Sequence, residues 1–207
     1  DRTITWTLEK TVDPASHSGY AGAEAGSSTW TVVATKAEGL GNYQVTGDII
    51  ISNPTPIDVE FSVADTLSDG TEATVTCPTY TVPAAVDTVP GSVTCTYTAS
   101  PINGAATKNT AVITPITPGV AGATATAGVT FTANLIGYDS GTLSDERFVG
   151  APWNYAAETI SGNTTRTFAE KFSCPSNPNL YVDGAYTFTE TNTVVLNGGI
   201  NLSASAS

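Results

Sequence analysis

The first dozen residues, DRTITWTLEKTV, constrain this chain more than any other stretch. Ile4, Trp6 and Leu8 alternate with Thr3, Thr5, Thr7 and Glu9, which makes one face apolar and the other polar. A period of two is the mark of a half-buried β-strand. Behind it runs DPASHSGYAGAEAGSST (13–29), rich in Gly, Ala and Ser. An amphipathic strand on such a tether can pair within its own domain or reach into a neighbour. The first arrangement makes a monomeric module and the second a building block of a fibre.

The rest of the chain is patterned in the same way. Thr and Val are plentiful, Met is absent, and charged residues make up only 13%. β-Branched side chains fit a pleated sheet and lose χ1 freedom in a helix. No segment sustains the i, i+3, i+4, i+7 spacing of an amphipathic helix. With 19 Gly and 12 Pro as punctuation, the expected class is all-β. Strands are expected at 3–12, 29–36, 42–52, 57–66, 71–77, 91–98 and 107–114. Two are especially clear: Tyr43, Val45, Ile49 and Ile51 alternate with polar neighbours, as do Ile57, Val59, Phe61 and Val63. Asn53-Pro54-Thr55-Pro56 turns the chain between them. Seven strands in about a hundred residues is the arithmetic of an immunoglobulin-like sandwich.

An internal repeat suggests a second sandwich. Thr66-Leu67-Ser68-Asp69 recurs as Thr142-Leu143-Ser144-Asp145, Cys95 has a counterpart in Cys174, and Lys108-Asn109-Thr110-Ala111-Val112 matches Thr191-Asn192-Thr193-Val194-Val195. The expectation is two tandem immunoglobulin-like sandwiches. Residues 1–28 form the N-terminal strand and tether, 29–116 the first domain and 117–207 the second. TPITPGVAGA (114–123) serves as the linker. The second domain has few residues upstream of its first landmark and is expected to be strand-deficient. The C-terminal segment Ile200–Ala204, or the terminal strand of another copy, would fill the gap.

Cys77 and Cys95 lie in alternating segments whose parity points both sulfurs to the core, and they are expected to form a disulfide in an oxidising compartment. Cys174 is left over. A formal charge of −12, from 19 acidic and 7 basic residues, repels phosphate backbones and excludes nucleic acid as a partner. No apolar run is long enough to span a bilayer. The chain begins at Asp without Met and carries no signal peptide, so it reads as a mature secreted product. Asn163 and Asn201 open N-x-S/T sequons and are candidate glycosylation sites.

WTLEKTVDP (6–14), YQVTGDIIISNPTP (43–56), VADTLSDG (63–70), CTYTA (95–99) and NTAVI (109–113) resemble the conserved-repeat β-sandwich domains of bacterial surface and extracellular proteins. They cover the first domain well and the second loosely. The resemblance implies an immunoglobulin-like fold and a structural or adhesive role at the cell surface, and it brings no catalytic residues.

Catalysis finds little else. His17, the single histidine, sits in the tether, where a solvated loop residue is the plainer reading. Asp65, Asp69, Asp139, Asp145 and Glu146 could offer oxygens to calcium, but their spacing matches no calcium loop, and turn formation explains them as well. Trp153 and Tyr155 form a sugar-stacking platform, a plug at the end of a core or a contact between subunits. The expectation is therefore no enzyme, no cofactor and no metal. The leading function is a secreted structural subunit polymerising by strand donation, with Ile4, Trp6, Leu8 and Val12 as anchors and copies of itself as partners. A monomeric adhesive or spacer module is the alternative.

Overall fold

The computed structural model describes residues 1–207. It is all-β, with two 3-10 turns, Glu146–Phe148 and Pro178–Leu180, beside fifteen strands. The first five strands are β1 (Arg2–Asp13), β2 (Glu24–Leu40), β3 (Val45–Asn53), β4 (Val59–Leu67) and β5 (Thr74–Thr76). The next five are β6 (Thr81–Val82), β7 (Gly91–Ala99), β8 (Lys108–Pro115), β9 (Ala123–Gly128) and β10 (Leu135–Ile136). The last are β11 (Gly141–Asp145), β12 (Glu158–Ile160), β13 (Thr164–Ser173), β14 (Asn192–Asn197) and β15 (Leu202–Ala206).

They sort into two compact units that are nested in the sequence. An inner unit holds Leu40–Asn134 together with Asp1, and a composite unit joins Arg2–Gly39 to Leu135–Ser207. The inner unit has sheets of order β3-β7-β5 and β6-β4-β8-β9. Ile49, Ile51, Val93 and Cys95 from the first sheet share a core with Phe61, Val82 and Ala111 from the second. Burial of such alternate positions from both sheets is what makes a sandwich. Asn53, itself buried, donates to the carbonyls of Ile57 (2.8 Å) and Pro83 (2.9 Å) and fixes the turn after β3. A disulfide joins Cys77 to Cys95. It lies one step beyond the β5–β7 pair Thr76↔Thr96, so it links adjacent strands of one sheet.

The composite unit has sheets of order β10-β1-β2-β13 and β12-β11-β14-β15. Ile4, Trp6, Trp30, Val32 and Phe168 from the first meet Leu143, Ile160, Val194 and Leu196 from the second. Phe148, on the first 3-10 turn, stacks on Phe168 with centroids 4.1 Å apart.

This partition corrects the boundaries expected from sequence. Residues 29–39 belong to β2, which pairs with β13 in the composite unit, so they are not the opening of a 29–116 domain. Residues 123–128 form β9, paired with β8 in the inner unit. The segment expected as an interdomain linker is a connection inside that unit, and Ile116 N donates to Glu60 O at 2.7 Å along it. The second unit is not strand-deficient, because β1 and β2 supply its missing strands. The tether shrinks to residues 14–23. Alternation says which face of a strand is buried, but not which sheet it joins; that is why the boundaries were misplaced.

Candidate functional site

The four expected anchors lie together on β1, in the composite unit of their own chain. Ile4 and Trp6 are buried, and Leu8 and Val12 pack against the same core. Trp6 Nε1 donates to the Tyr138 carbonyl at 2.8 Å. At the start of the strand, Arg2 reaches Glu38 Oε2 and Asp139 Oδ2, each at 2.8 Å. Lys36 Nζ also donates to Asp139 Oδ1 at 3.0 Å. These hydrogen bonds from Arg2 and Lys36 hold the Asp139 carboxyl down at about 2.

A fifth inward position on β1 was not anticipated. Lys10 shares the parity of Ile4, Trp6, Leu8 and Val12, and its side chain is completely buried against an equally buried Asp145 on β11. The lysine ammonium lies 5.5 Å from the Trp30 ring centroid and 5.2 Å from that of Phe148. Asn192 on β14 donates from Nδ2 to the same oxygen, Asp145 Oδ2, at 3.4 Å. Asp145 Oδ1 accepts from the Arg147 backbone N–H at 3.2 Å and caps the 3-10 turn. Burial pulls the Lys10 amine below its ordinary value, with the hydrogen bond to Asp145 acting in the opposite sense. The sequence carried a signal for this cluster. Lys10, Asp145 and Asn192 each occupy the apolar parity of a strand, where an ionisable or amide group demands a partner.

The inner unit contains two-thirds of the same arrangement. Its sheet β6-β4-β8-β9 repeats the plan of β12-β11-β14-β15. Asp65 lies opposite Ala111, two residues beyond Asn109; Asp145 lies opposite Val194, two residues beyond Asn192. Asp65 therefore corresponds to Asp145, and the Thr-Leu-Ser-Asp match is out of register by four residues. Asn109 Nδ2 donates to Asp65 Oδ2 at 3.0 Å in a buried setting, while Asp65 Oδ1 is buried without a hydrogen-bond partner. No lysine answers this carboxylate.

The strand slot differs as well. In the composite unit β1 lies beside β2 and packs against β15. In the inner unit β3 ends its sheet. Between β3 and β9 runs a cleft of about 380 Å³, lined by Ile49, Ile51, Phe61, Ile113, Ala123 and Ala125 among others.

Burial raises the Asp65 carboxyl above its ordinary value, against the opposing pull of Asn109. A carboxyl whose folded value exceeds its unfolded value, about 3.9, contributes stability that is fully present below pH 4. That contribution is lost as pH rises through the folded value. Asp65→Asn should therefore flatten the pH dependence of inner-unit unfolding above pH 4. Hydrogen exchange of the β4 and β8 amides across pH measures it; parallel profiles for the two proteins would refute the assignment.

Other sequence candidates take structural places. His17 is not a solvated loop residue: it stacks on Phe172 with centroids 5.4 Å apart, and its Nε2 lies 2.7 Å from Ser28 Oγ. It sits over Gly26 (φ +143°), where an added Cβ would collide with Nδ1. Ser28 Oγ donates to the Pro14 carbonyl at 2.6 Å, so its proton is committed to the backbone. Trp153 donates from Nε1 to the Ala169 carbonyl at 2.7 Å and packs edge-on to Phe148. Tyr155 bonds Glu158 Oε1 at 2.9 Å. Both aromatics serve packing. Asn163 and Asn201 are exposed, and Cys174 is a free, half-buried thiol. No helix is long and apolar enough to cross a membrane. Neither a protein-family model, nor a curated protein, nor a solved structure matches this chain.

Proposed function

We propose that the chain is an extracellular structural subunit of a filament or pilus-like fibre. It polymerises head to tail by exchange of its N-terminal strand, on immunoglobulin-like sandwich units of the kind its sequence resembles. One observation carries this reading: the composite unit is completed by β1, a strand separated from its neighbour β2 by residues 14–23, which form neither strand nor helix. Such a strand can be delivered to the same slot of a second copy with every contact kept, as in domain swapping. Backbone hydrogen bonds supply affinity, and Ile4, Trp6, Leu8 and Val12 set the register. Because donor strand and acceptor slot are different surfaces, contacts propagate into a filament unless the rotation closes a ring. The Cys77–Cys95 disulfide suits an oxidising, extracellular compartment. The exposed Asn163 and Asn201 are the places where glycans would attach.

A monomeric adhesive or spacer module is the second reading. It is favoured by the way the 14–23 connection is held to its own unit, through the Ser28–Pro14 hydrogen bond and the His17–Phe172 stack. Negative-stain microscopy separates the two. The full chain is expected to form filaments that shorten when a synthetic peptide of residues 1–13 is present during assembly. Uniform small particles indifferent to the peptide would sink strand exchange and leave the spacer reading.

A further inference from the structure

We propose that Lys10 and Asn192 become joined by an amide bond between their side chains, with Asp145 as the proton-transfer group. The arrangement has the three parts such a reaction needs: an amine, a carboxamide and a carboxylate that touches both. Asp145 Oδ2 is the shared atom. It holds the Lys10 ammonium in a buried ion pair and accepts from Asn192 Nδ2 at 3.4 Å. Two donors from different strands thus converge on one carboxylate oxygen inside the core.

The reaction balances without any outside reagent. The Lys10 ammonium passes a proton to Asp145, which frees the amine lone pair. The amine attacks Asn192 Cγ, forming the new C–N bond and a tetrahedral centre. Asp145 returns a proton to the departing –NH2 group, the old C–N bond breaks, and the surplus proton on the newly bonded nitrogen passes to the departing ammonia, which leaves as ammonium. The carboxylate ends as it began, so it acts as general base and then as general acid.

The surroundings favour each step. Trp30 and Phe148 line the lysine, and desolvation of an amine in an apolar pocket is a recognised way to make it nucleophilic. The lowered Lys10 amine value is in keeping with this. Burial excludes the water that would otherwise compete for the carboxamide. Folding brings the partners together from β1, β11 and β14, which turns an encounter into an internal step. Ion pairing alone does not account for the cluster, since a buried pair is weak evidence for stability and requires no carboxamide on the same oxygen. The inner unit acts as an internal control: Asp65 and Asn109 repeat the acid and the amide without a lysine. The product would tie β1 to the opposite sheet and make the strand irremovable once seated.

Intact-mass measurement of the folded chain tests this directly. The expected mass is below the sequence mass by one ammonia, beyond the hydrogens lost to the disulfide. Trypsin should fail at Lys10, and the peptide containing it should be found joined to the one containing Asn192. Lys10→Met and Asn192→Ala should each restore the missing ammonia. A wild-type chain at full mass overturns the proposal. So does loss of one water, which would place the bond on Asp145. The inference does not depend on strand exchange, and the two fail differently. A linked monomer without filaments keeps the bond and removes the exchange. A reductant-resistant ladder on a denaturing gel, with the same Lys10–Asn192 peptide, supports both.

Discussion

Deleting residues 1–12 is expected to unfold the composite unit while leaving the Leu40–Asn134 unit folded. The strand carries Ile4, Trp6 and Leu8 into the composite core, and burying such side chains contributes about 1.5–3 kcal/mol each. Its loss also removes Lys10 and strands the buried Asp145 carboxylate. Together these approach the whole stability of a typical domain, about 5–15 kcal/mol. The inner unit makes its core from its own strands and carries its own disulfide. The readout is unusually clean, because all three tryptophans, Trp6, Trp30 and Trp153, lie in the composite unit. After deletion, Trp30 and Trp153 should report an unfolded environment in native buffer, while β4 and β8 amides keep their exchange protection. Trp6→Asp should act in the same direction by placing a carboxylate among Trp30, Val32 and Leu143. A truncated chain whose tryptophans still unfold cooperatively would show that β1 is dispensable to this unit.

The difference between what the sequence offered and what the fold contains is physical. Ile49 and Ile51 on β3, Phe61 on β4 and Cys95 on β7 were readable because each lies on a strand whose buried face follows a strict period of two. The same logic predicted the Cys77–Cys95 bond from parity. It could not predict that β2 joins β13 across more than a hundred residues of intervening chain, since Trp30 and Val32 read as inward in any sandwich. The Thr-Leu-Ser-Asp repeat then misled by four residues, because 66–69 close β4 and enter the turn after it whereas 142–145 lie within β11, and the sheet registers match Asp65 with Asp145 and Asn109 with Asn192. Lys10 was legible in principle. It stands on the apolar side of the most regular strand in the chain, and a charge at such a position is informative because it is costly to bury. Its partners were not legible, because facing β1 with Asp145 on β11 and Asn192 on β14 of the opposite sheet is a property of the packed sandwich and not of any one strand.

Lys10→Met is expected to cost the composite unit about 3–5 kcal/mol, the usual penalty for removing one member of a buried ion pair. Shape is not the cause. Methionine keeps most of the lysine stem and can rest its thioether against Trp30 and Phe148, a favourable contact for sulfur. The cost arises because Asp145 keeps its charge, has no exposed side-chain surface, and retains only Asn192 Nδ2 and the Arg147 N–H as donors. Asp145→Asn in the Lys10→Met background should therefore recover the part of the loss that comes from the stranded charge, but not the part that comes from the lost link to Asn192. It removes the charge while leaving an oxygen for the Arg147 N–H. Denaturant unfolding followed by tryptophan fluorescence gives both values, and the double-mutant cycle isolates the coupling. Asn192→Ala completes the argument. It preserves the ion pair, so as a lost hydrogen bond alone it would cost about 1 kcal/mol; with the Lys10–Asn192 link it is expected to cost as much as Lys10→Met. A loss from Asn192→Ala as large as that from Lys10→Met would mean that the asparagine does more than donate a hydrogen bond, as a covalent link requires. An unchanged midpoint for Lys10→Met would mean that the pair contributes nothing to holding β1 in place.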